Sequence, residues 1–146
     1  MIPFTPPRRA VRRVFLHCSA SDNPEHDDVQ VIRRWHRERG FSDVGYHYVV
    51  TKAGFVQTGR PLERDPAAQE GHNQATIAIC ANGLAVDRFT PVQLTAVRDL
   101  CRAIAGAYRG RVTFHGHCEV SAKACPVFDY RGLLGLDAAG RMTPAG

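Results

Sequence analysis

Val14-Phe15-Leu16-His17-Cys18 is the stretch that decides the fold, because it is a short apolar run that ends in a histidine and a cysteine. Turn-prone residues follow it directly, as is typical of the end of a buried strand. Side chains alternate along a strand, so His17 shares a side with Phe15 and faces away from its two neighbours. We therefore expect a buried strand that carries a polar side chain near its C-terminal end.

Two helices are predicted from start signals and apolar periodicity. The first covers residues 27–39, with acidic residues at its N-terminus and a glycine after its C-terminus. The second starts at Thr90, where a proline follows and Gln93 completes a capping-box pattern. Its apolar stripe continues for about three turns, and we expect Gly106 or Gly110 to end it.

Short apolar runs predict further strands around the two helices. These runs lie at residues 46–51, 55–60, 76–80 and 112–115. The turn at residues 52–54 joins the first two runs into a hairpin. Strands mixed with two helices predict an α/β (α+β) fold, in which the helices flank a central mixed β-sheet.

The length of 146 residues suits one domain with a core of its own. We place this domain at residues 14–137, between an N-terminal extension at 1–13 and a C-terminal tail at 138–146. The apolar stretch near the basic N-terminus is too short for a signal-peptide core. We therefore expect a protein made in the cytoplasm without a signal peptide, and no membrane insertion.

The formal net charge of +5 has two readings. It favours an acidic partner, such as nucleic acid, a membrane surface or an anionic wall polymer, or it reflects no more than solubility. We expect no direct binding of nucleic acid, and we expect a monomer.

One short segment after the last predicted strand is rich in metal-binding side chains. It contains His115, His117, Cys118 and Cys125. Imidazole and thiolate are donors that zinc prefers, and a catalytic zinc ion needs only three protein ligands. His17 is a candidate ligand from a separate strand. The alternative is that His17 is a hydrogen-bonded core residue and Cys125 a small buried apolar side chain.

Four parts of the chain carry more specific motifs. They are residues 15–21 (FLHCSAS), 32–36 with 40–50 (IRRWH, GFSDVGYHYVV), 71–72 with 76–80 (GH, TIAIC) and 117–126 (HCEVSAKACP). In this order they resemble the type-2 N-acetylmuramoyl-L-alanine amidase family, which includes the peptidoglycan recognition proteins. The likeness spans residues 14–129, and VGYHY with KACP is most similar to small phage lysozymes of the amidase type.

The resemblance implies the fold of that family and a zinc site. By similarity, the zinc ligands are His17, His117 and Cys125. In the family the ligand histidine lies eight residues before the ligand cysteine, which selects His117 over His115. Recognition proteins that bind peptidoglycan without cutting it lack this cysteine, so Cys125 indicates an enzyme.

The resemblance also assigns roles to four other residues. Tyr46 and Lys123 match the catalytic tyrosine and lysine of the family. His47 and His72 match positions that line its substrate groove. Glu119 is a candidate hydrogen-bond partner for a ligand histidine.

The implied function is zinc-dependent hydrolysis of the amide bond between N-acetylmuramic acid and L-alanine in bacterial peptidoglycan. A bacteriolytic, phage-type endolysin would reach its substrate, the cell wall, after release from the cell. An alternative is a non-catalytic or dual-role binding protein, which recognises peptidoglycan or inhibits a phage RNA polymerase. A structural zinc domain is another alternative, with Cys118 as the fourth ligand. The chain departs from the family at two places. Cys118 stands where the phage relatives often have a histidine, and the loop after His72 is shorter than is usual in the family.

Overall fold

The structure is a computed structural model that describes residues 2–85 and 88–142. Within these residues, the strands are β1 (Arg13–Cys18), β2 (Tyr48–Val50), β3 (Val56–Thr58), β4 (Thr76–Ala81) and β5 (Thr113–Gly116). The α-helices are α1 (Val29–Glu38), α2 (Pro91–Ala107) and α3 (Tyr130–Leu134). Short 3₁₀ turns cover Pro24–His26 and His117–Glu119.

The strands form one mixed sheet in the order β3-β2-β4-β1-β5. β1 lies between β4 and β5 and runs parallel to both, and β2 is parallel to β4. β3 pairs antiparallel with β2, as the predicted hairpin requires. The C-terminal ends of β1, β2, β4 and β5 therefore meet at one edge of the sheet, where ligands commonly bind in sheets of this kind.

Helices cover both faces of the sheet. Alternate residues of β1, such as Val14 and Leu16, belong to a large core cluster together with Leu100 of α2 and Leu134 of α3. A smaller cluster packs α1, through residues such as Ile32, against the other face. The predicted class, an α/β (α+β) domain with helices on a central mixed sheet, is confirmed.

The starts of the helices follow the predicted signals more closely than their ends. The Asp28 carboxylate accepts from the Gln30 backbone N–H at 2.7 Å, so α1 begins at Val29, two residues later than predicted. Thr90 and Gln93 form the predicted capping box of α2. The helix continues past Gly106 to Ala107, and the Gly110 backbone N–H then donates to the Ala105 carbonyl at 2.9 Å in the turn that ends it. None of the described helices is both long and apolar enough to cross a membrane.

The segments before β1 and after α3 contact the domain. Ile2, Phe4 and Val11 pack against the large core cluster. The Phe114 backbone N–H donates to the Gly140 carbonyl at 2.8 Å, which ties the C-terminal turn to β5. The end of the predicted tail, residues 143–146, lies outside the described residues. The short helix α3 was not predicted, because its five residues show no helical period.

Candidate metal centre

His17 lies near the C-terminal end of β1, where the sheet brings several strand ends together. Its Cα pairs in register with that of Cys80 on β4. The residue is only 1% exposed, and its ring lies 4.6 Å from the ring of His117, measured between centroids. The parallel pairing of β1 with β5 causes this contact, because His117 follows directly after β5.

Cys125 approaches the same place from the loop after β5. The Cys118 backbone N–H donates to the Cys125 carbonyl at 2.7 Å, which closes the loop between the two residues. The Cys18 backbone N–H donates to the Cys125 sulfur at 3.2 Å. This second bond attaches the loop to the end of β1, and Cys125 is buried there.

His17, His117 and Cys125 together form a group of possible metal donors. Their donor atoms all lie within 4.8 Å of one another, and His17 Nδ1 is 3.8 Å from Cys125 Sγ. Bonds of about 2.0–2.3 Å in a tetrahedral zinc site separate two donors by roughly 3.3–3.8 Å. The two imidazoles and one thiol thus fit a zinc ion in donor type, and the distance between His17 and Cys125 lies at the upper end of this range.

The neighbouring candidates lie outside this group, which is the only one of its kind in the part of the chain described here. The ring of His115 bonds to Thr113 Oγ1 at 2.7 Å and to the Glu119 carboxylate at 2.9 Å. Cys118 is exposed. The geometry therefore does not support a closed site with Cys118 as its fourth ligand.

The electrostatics keep both imidazoles neutral. Burial, with smaller effects from His117 and Lys123, lowers the pKa of His17 to about 3. Burial and the charge of Lys123 also lower the pKa of His117. The adjacent Cys18 thiol and burial raise the pKa of Cys125. A neutral imidazole offers a lone pair, and a cation at this place would favour the thiolate of Cys125.

Tyr46 and Lys123, the predicted catalytic pair, both lie beside the group. The Tyr46 ring centroid is 5.1 Å from that of His17. Burial is the main cause that raises the pKa of Tyr46 well above its usual value, so its hydroxyl keeps the proton and can donate it in a hydrogen bond. Lys123 is exposed, and its charge acts on both His17 and His117.

His47 has a different environment from the one predicted. It is 1% exposed, its Nδ1 accepts from the Ala78 backbone N–H at 3.1 Å, and its Nε2 lies 2.8 Å from the Arg64 carbonyl. Burial argues against the predicted place of His47 in the wall of a groove, since the ring has no free surface for a substrate. His72 is partly exposed, and its groove role stays a prediction.

Hydrogen-bond partners in the site include residues that sequence reasoning missed. Gln69, which is fully buried, bonds to His17 Nε2 at 2.9 Å. The predicted pairing of Glu119 with a ligand histidine is wrong, because its carboxylate bonds to His115 instead. Glutamine in a loop gives no sequence signal for such a contact.

Comparison with known proteins agrees with this geometry. The profile of the family described as N-acetylmuramoyl-L-alanine amidase matches residues 7–128. The chain belongs to this amidase family. The enzyme class predicted from the sequence, an N-acetylmuramoyl-L-alanine amidase, is thereby confirmed, as is the resemblance from which it was drawn.

Individual members of the amidase family and its structural relatives extend the comparison. The endolysin of Enterobacteria phage T3 is 35% identical over 131 residues, which are 86% of this chain and 86% of that protein. The amidase LysC from Clostridium intestinale URNW has the same fold, with a TM-score of 0.77 at 24% identity over 92% of this chain and 93% of that one. The Drosophila peptidoglycan recognition protein SD aligns with a TM-score of 0.66 at 22% identity, over 84% of this chain and 82% of that one.

Proposed function

We propose that this amidase is a zinc hydrolase of the phage-endolysin type, which cuts the amide bond between N-acetylmuramic acid and L-alanine in peptidoglycan. The observation that carries the proposal is the group of two imidazoles and one thiol within 4.8 Å, assembled from opposite ends of the chain. Endolysins and amidases among the similar proteins support the substrate. The protein would act on the cell wall after its release from the cytoplasm.

His17, His117 and Cys125 would hold the zinc ion. When bound, such an ion activates water and polarises a carbonyl group as a Lewis acid. Three protein ligands leave room for water and substrate, whereas a structural zinc site is closed by four. The burial of His17 and Cys125 restricts their side chains before the ion arrives, whereas His117 is only half-buried.

Tyr46 and Lys123 would act on the scissile amide. The protonated hydroxyl of Tyr46 can donate a hydrogen bond to the carbonyl oxygen as negative charge develops there, or assist proton transfer to the leaving nitrogen. The ammonium group of Lys123, whose charge acts on His17 and His117, would stabilise the same charge. Hydrogen-bond donors and positive charges beside the developing oxyanion are among the most effective contributions to catalysis.

The proposal is tested by digesting purified peptidoglycan with the protein, with and without a chelator, and identifying the new chain ends. We expect new amino groups of L-alanine and no new reducing sugar ends, and we expect the chelator to abolish both release and bound zinc. New reducing ends would instead mark a glycosidase and refute the proposal.

Two cysteine variants make the test specific to the site. Cys125→Ser removes one donor, so we expect loss of stoichiometric zinc and of activity. Cys118→Ser is the matched control, because this thiol is exposed, adjacent to His117 and outside the donor group. If Cys118→Ser lost zinc as completely as Cys125→Ser, the proposed ligand set would be wrong.

A further inference from the structure

A chain of buried hydrogen bonds connects the metal centre to the loop before β4. His17 Nε2 lies 2.9 Å from Gln69 Oε1, and Gln69 Nε2 lies 2.7 Å from Thr76 Oγ1. Thr76 Oγ1 in turn lies 2.8 Å from the Asn73 carbonyl oxygen. Gln69 and Thr76 are fully buried, so these contacts are shielded from competition by bulk water.

The donor and acceptor of each hydrogen bond in this series follow from the carbonyl acceptor at the end farthest from His17. The Asn73 carbonyl can only accept, so the Thr76 hydroxyl donates to it and uses a lone pair to accept from Gln69. The Gln69 amide nitrogen is also within 3.3 Å of the His72 carbonyl, another pure acceptor. Both contacts direct the NH₂ group of Gln69 away from the metal centre, and its carbonyl oxygen therefore faces His17.

Only one tautomer of the neutral His17 ring can form a hydrogen bond with the Gln69 carbonyl oxygen. The Gln69 carbonyl oxygen can only accept, so the proton of the neutral imidazole must be on Nε2. The lone pair is then on Nδ1, the atom that lies 3.8 Å from Cys125 Sγ. The other tautomer would set two lone pairs against each other at 2.9 Å in a buried place.

We propose that Gln69 is a positioning residue that holds His17 as the Nε2–H tautomer and thereby presents Nδ1 to the metal. The inference rests on the zinc site of the proposed function. A metal-bound histidine commonly donates its second ring N–H to a carboxylate or carbonyl group, which fixes the ring and strengthens the ligand. In this chain the side-chain amide of Gln69 supplies the carbonyl.

The backbone around Gln69 is held independently of His17. Asn73 Oδ1 accepts from the backbone N–H groups of Ala68 and Gln69 at 3.1 and 3.0 Å. A substitution of the Gln69 side chain therefore leaves these loop contacts intact. The loop acts as a fixed support from which one amide reaches the ligand histidine.

The test compares zinc affinity and the His17 tautomer in the full-length protein and three variants. Gln69→Met removes the acceptor at similar volume, and Gln69→Glu keeps an acceptor oxygen toward His17. Gln93→Met is the matched control: Gln93 is equally buried, but its amide bonds to the Val50 and Asn82 carbonyls. Affinity is measured by competition with a chromophoric zinc chelator, and the tautomer by long-range ¹H–¹⁵N NMR of the histidine rings.

We expect Gln69→Met to lose about 10- to 100-fold in zinc affinity. Gln69→Glu should lose less, because it keeps an acceptor toward His17, although its second oxygen meets the His72 carbonyl. Gln93→Met should lower the melting temperature and leave zinc affinity unchanged. The wild-type His17 ring should carry its proton on Nε2, and Gln69→Met should show a mixture of tautomers. The tautomer of His17 can be measured in the zinc-free protein. The NMR measurement therefore tests the role of Gln69 even if the proposed zinc-dependent function is wrong.

Three results would overturn the inference. They are a wild-type His17 protonated on Nδ1, an unchanged zinc affinity in Gln69→Met, and an equal loss of affinity in Gln93→Met. Should Gln69→Met fail to fold, Gln69→Asn replaces it, because its shorter amide stays polar but cannot reach Nε2. Normal zinc affinity in folded Gln69→Asn would likewise refute the role of Gln69.

Discussion

The buried ring of His47 leads to a prediction about acid stability. The ring accepts from Ala78 through Nδ1, and the Arg9 guanidinium lies 3.3 Å from Nε2. Protonation would place two N–H groups against each other and add a charge beside Arg9. Burial is the main cause that lowers the pKa of His47 from 6.5 to about 4, and the nearby arginines act in the same direction.

The sign and size of the effect follow from linkage. The pKa of His47 is lower in the folded protein than in the unfolded chain, so the unfolded chain binds more protons as the pH falls. The stabilisation is complete above pH 6.5 and is lost progressively toward pH 4. Between pH 7.5 and 4.5, this one group should lower the free energy of unfolding by about 2.5 kcal/mol.

The assay compares the wild type with His47→Gln, which retains an acceptor and a donor but cannot titrate. Urea unfolding at each pH gives the two free energies, and the difference between them cancels all titrations that the proteins share. At pH 7.5 we expect the variant to be less stable by about 1–2 kcal/mol, through imperfect hydrogen bonds. At pH 4.5 the order should be reversed, with the variant more stable by about 0.5–1.5 kcal/mol, because the wild type loses about 2.5 kcal/mol that the variant does not lose. A difference that stays constant across this range would refute the reasoning.

Three further predictions concern activity. Tyr46→Phe should reduce kcat about 100- to 1000-fold, because one hydrogen-bond donor to the transition state is lost. The variant should retain stoichiometric zinc. Loss of zinc together with activity would show that the tyrosine supports the metal site instead. Lys123→Met should lower kcat by a comparable factor, and Lys123→Arg should lower it less, because the positive charge of the side chain stabilises the transition state. Equal defects in the two variants would contradict a role for the charge. Lysis of cell walls should slow as the salt concentration rises, because the net charge of +5 assists encounter with anionic wall polymers and salt screens this attraction. Hydrolysis of a neutral soluble fragment should not depend on salt in this way.

Much of the fold was predictable because its signals are local. The apolar run of β1 predicts a strand, and the Thr90 cap and its following proline start α2 where the structure has it. Two glycines, Gly106 and Gly110, were candidates for the end of α2, and the helix ends between them at Ala107. Gly106 costs the helix about 1 kcal/mol compared with alanine, and the packing of Ile104 and its neighbours on the sheet outweighs that cost.

The candidate site was predicted through a motif and only partly through physics. Composition and spacing left His115 and Cys118 open as rival ligands, and the family motif chose His117 and Cys125 between them. Both rivals lie outside the donor group in the structure. His47 shows the limit of this route, because a motif match identifies a position and not its environment.

The sequence alone determined the approximate strands and the starts of α1 and α2, because these signals lie in residues that are near one another in the chain. Its ordered motifs, which are spread along the domain, identified the amidase family and the candidate donors. Tertiary structure decided that His17 and Cys125, 108 residues apart, approach to 3.8 Å. It also decided that Gln69 supports His17 and that His47 is enclosed. The contacts of His17 depend on the parallel pairing of β1 with β4 and β5, and the contact of His47 with Ala78 depends on the pairing of β2 with β4. No local pattern specifies these pairings, because strands that are distant in sequence meet only when the whole sheet has formed.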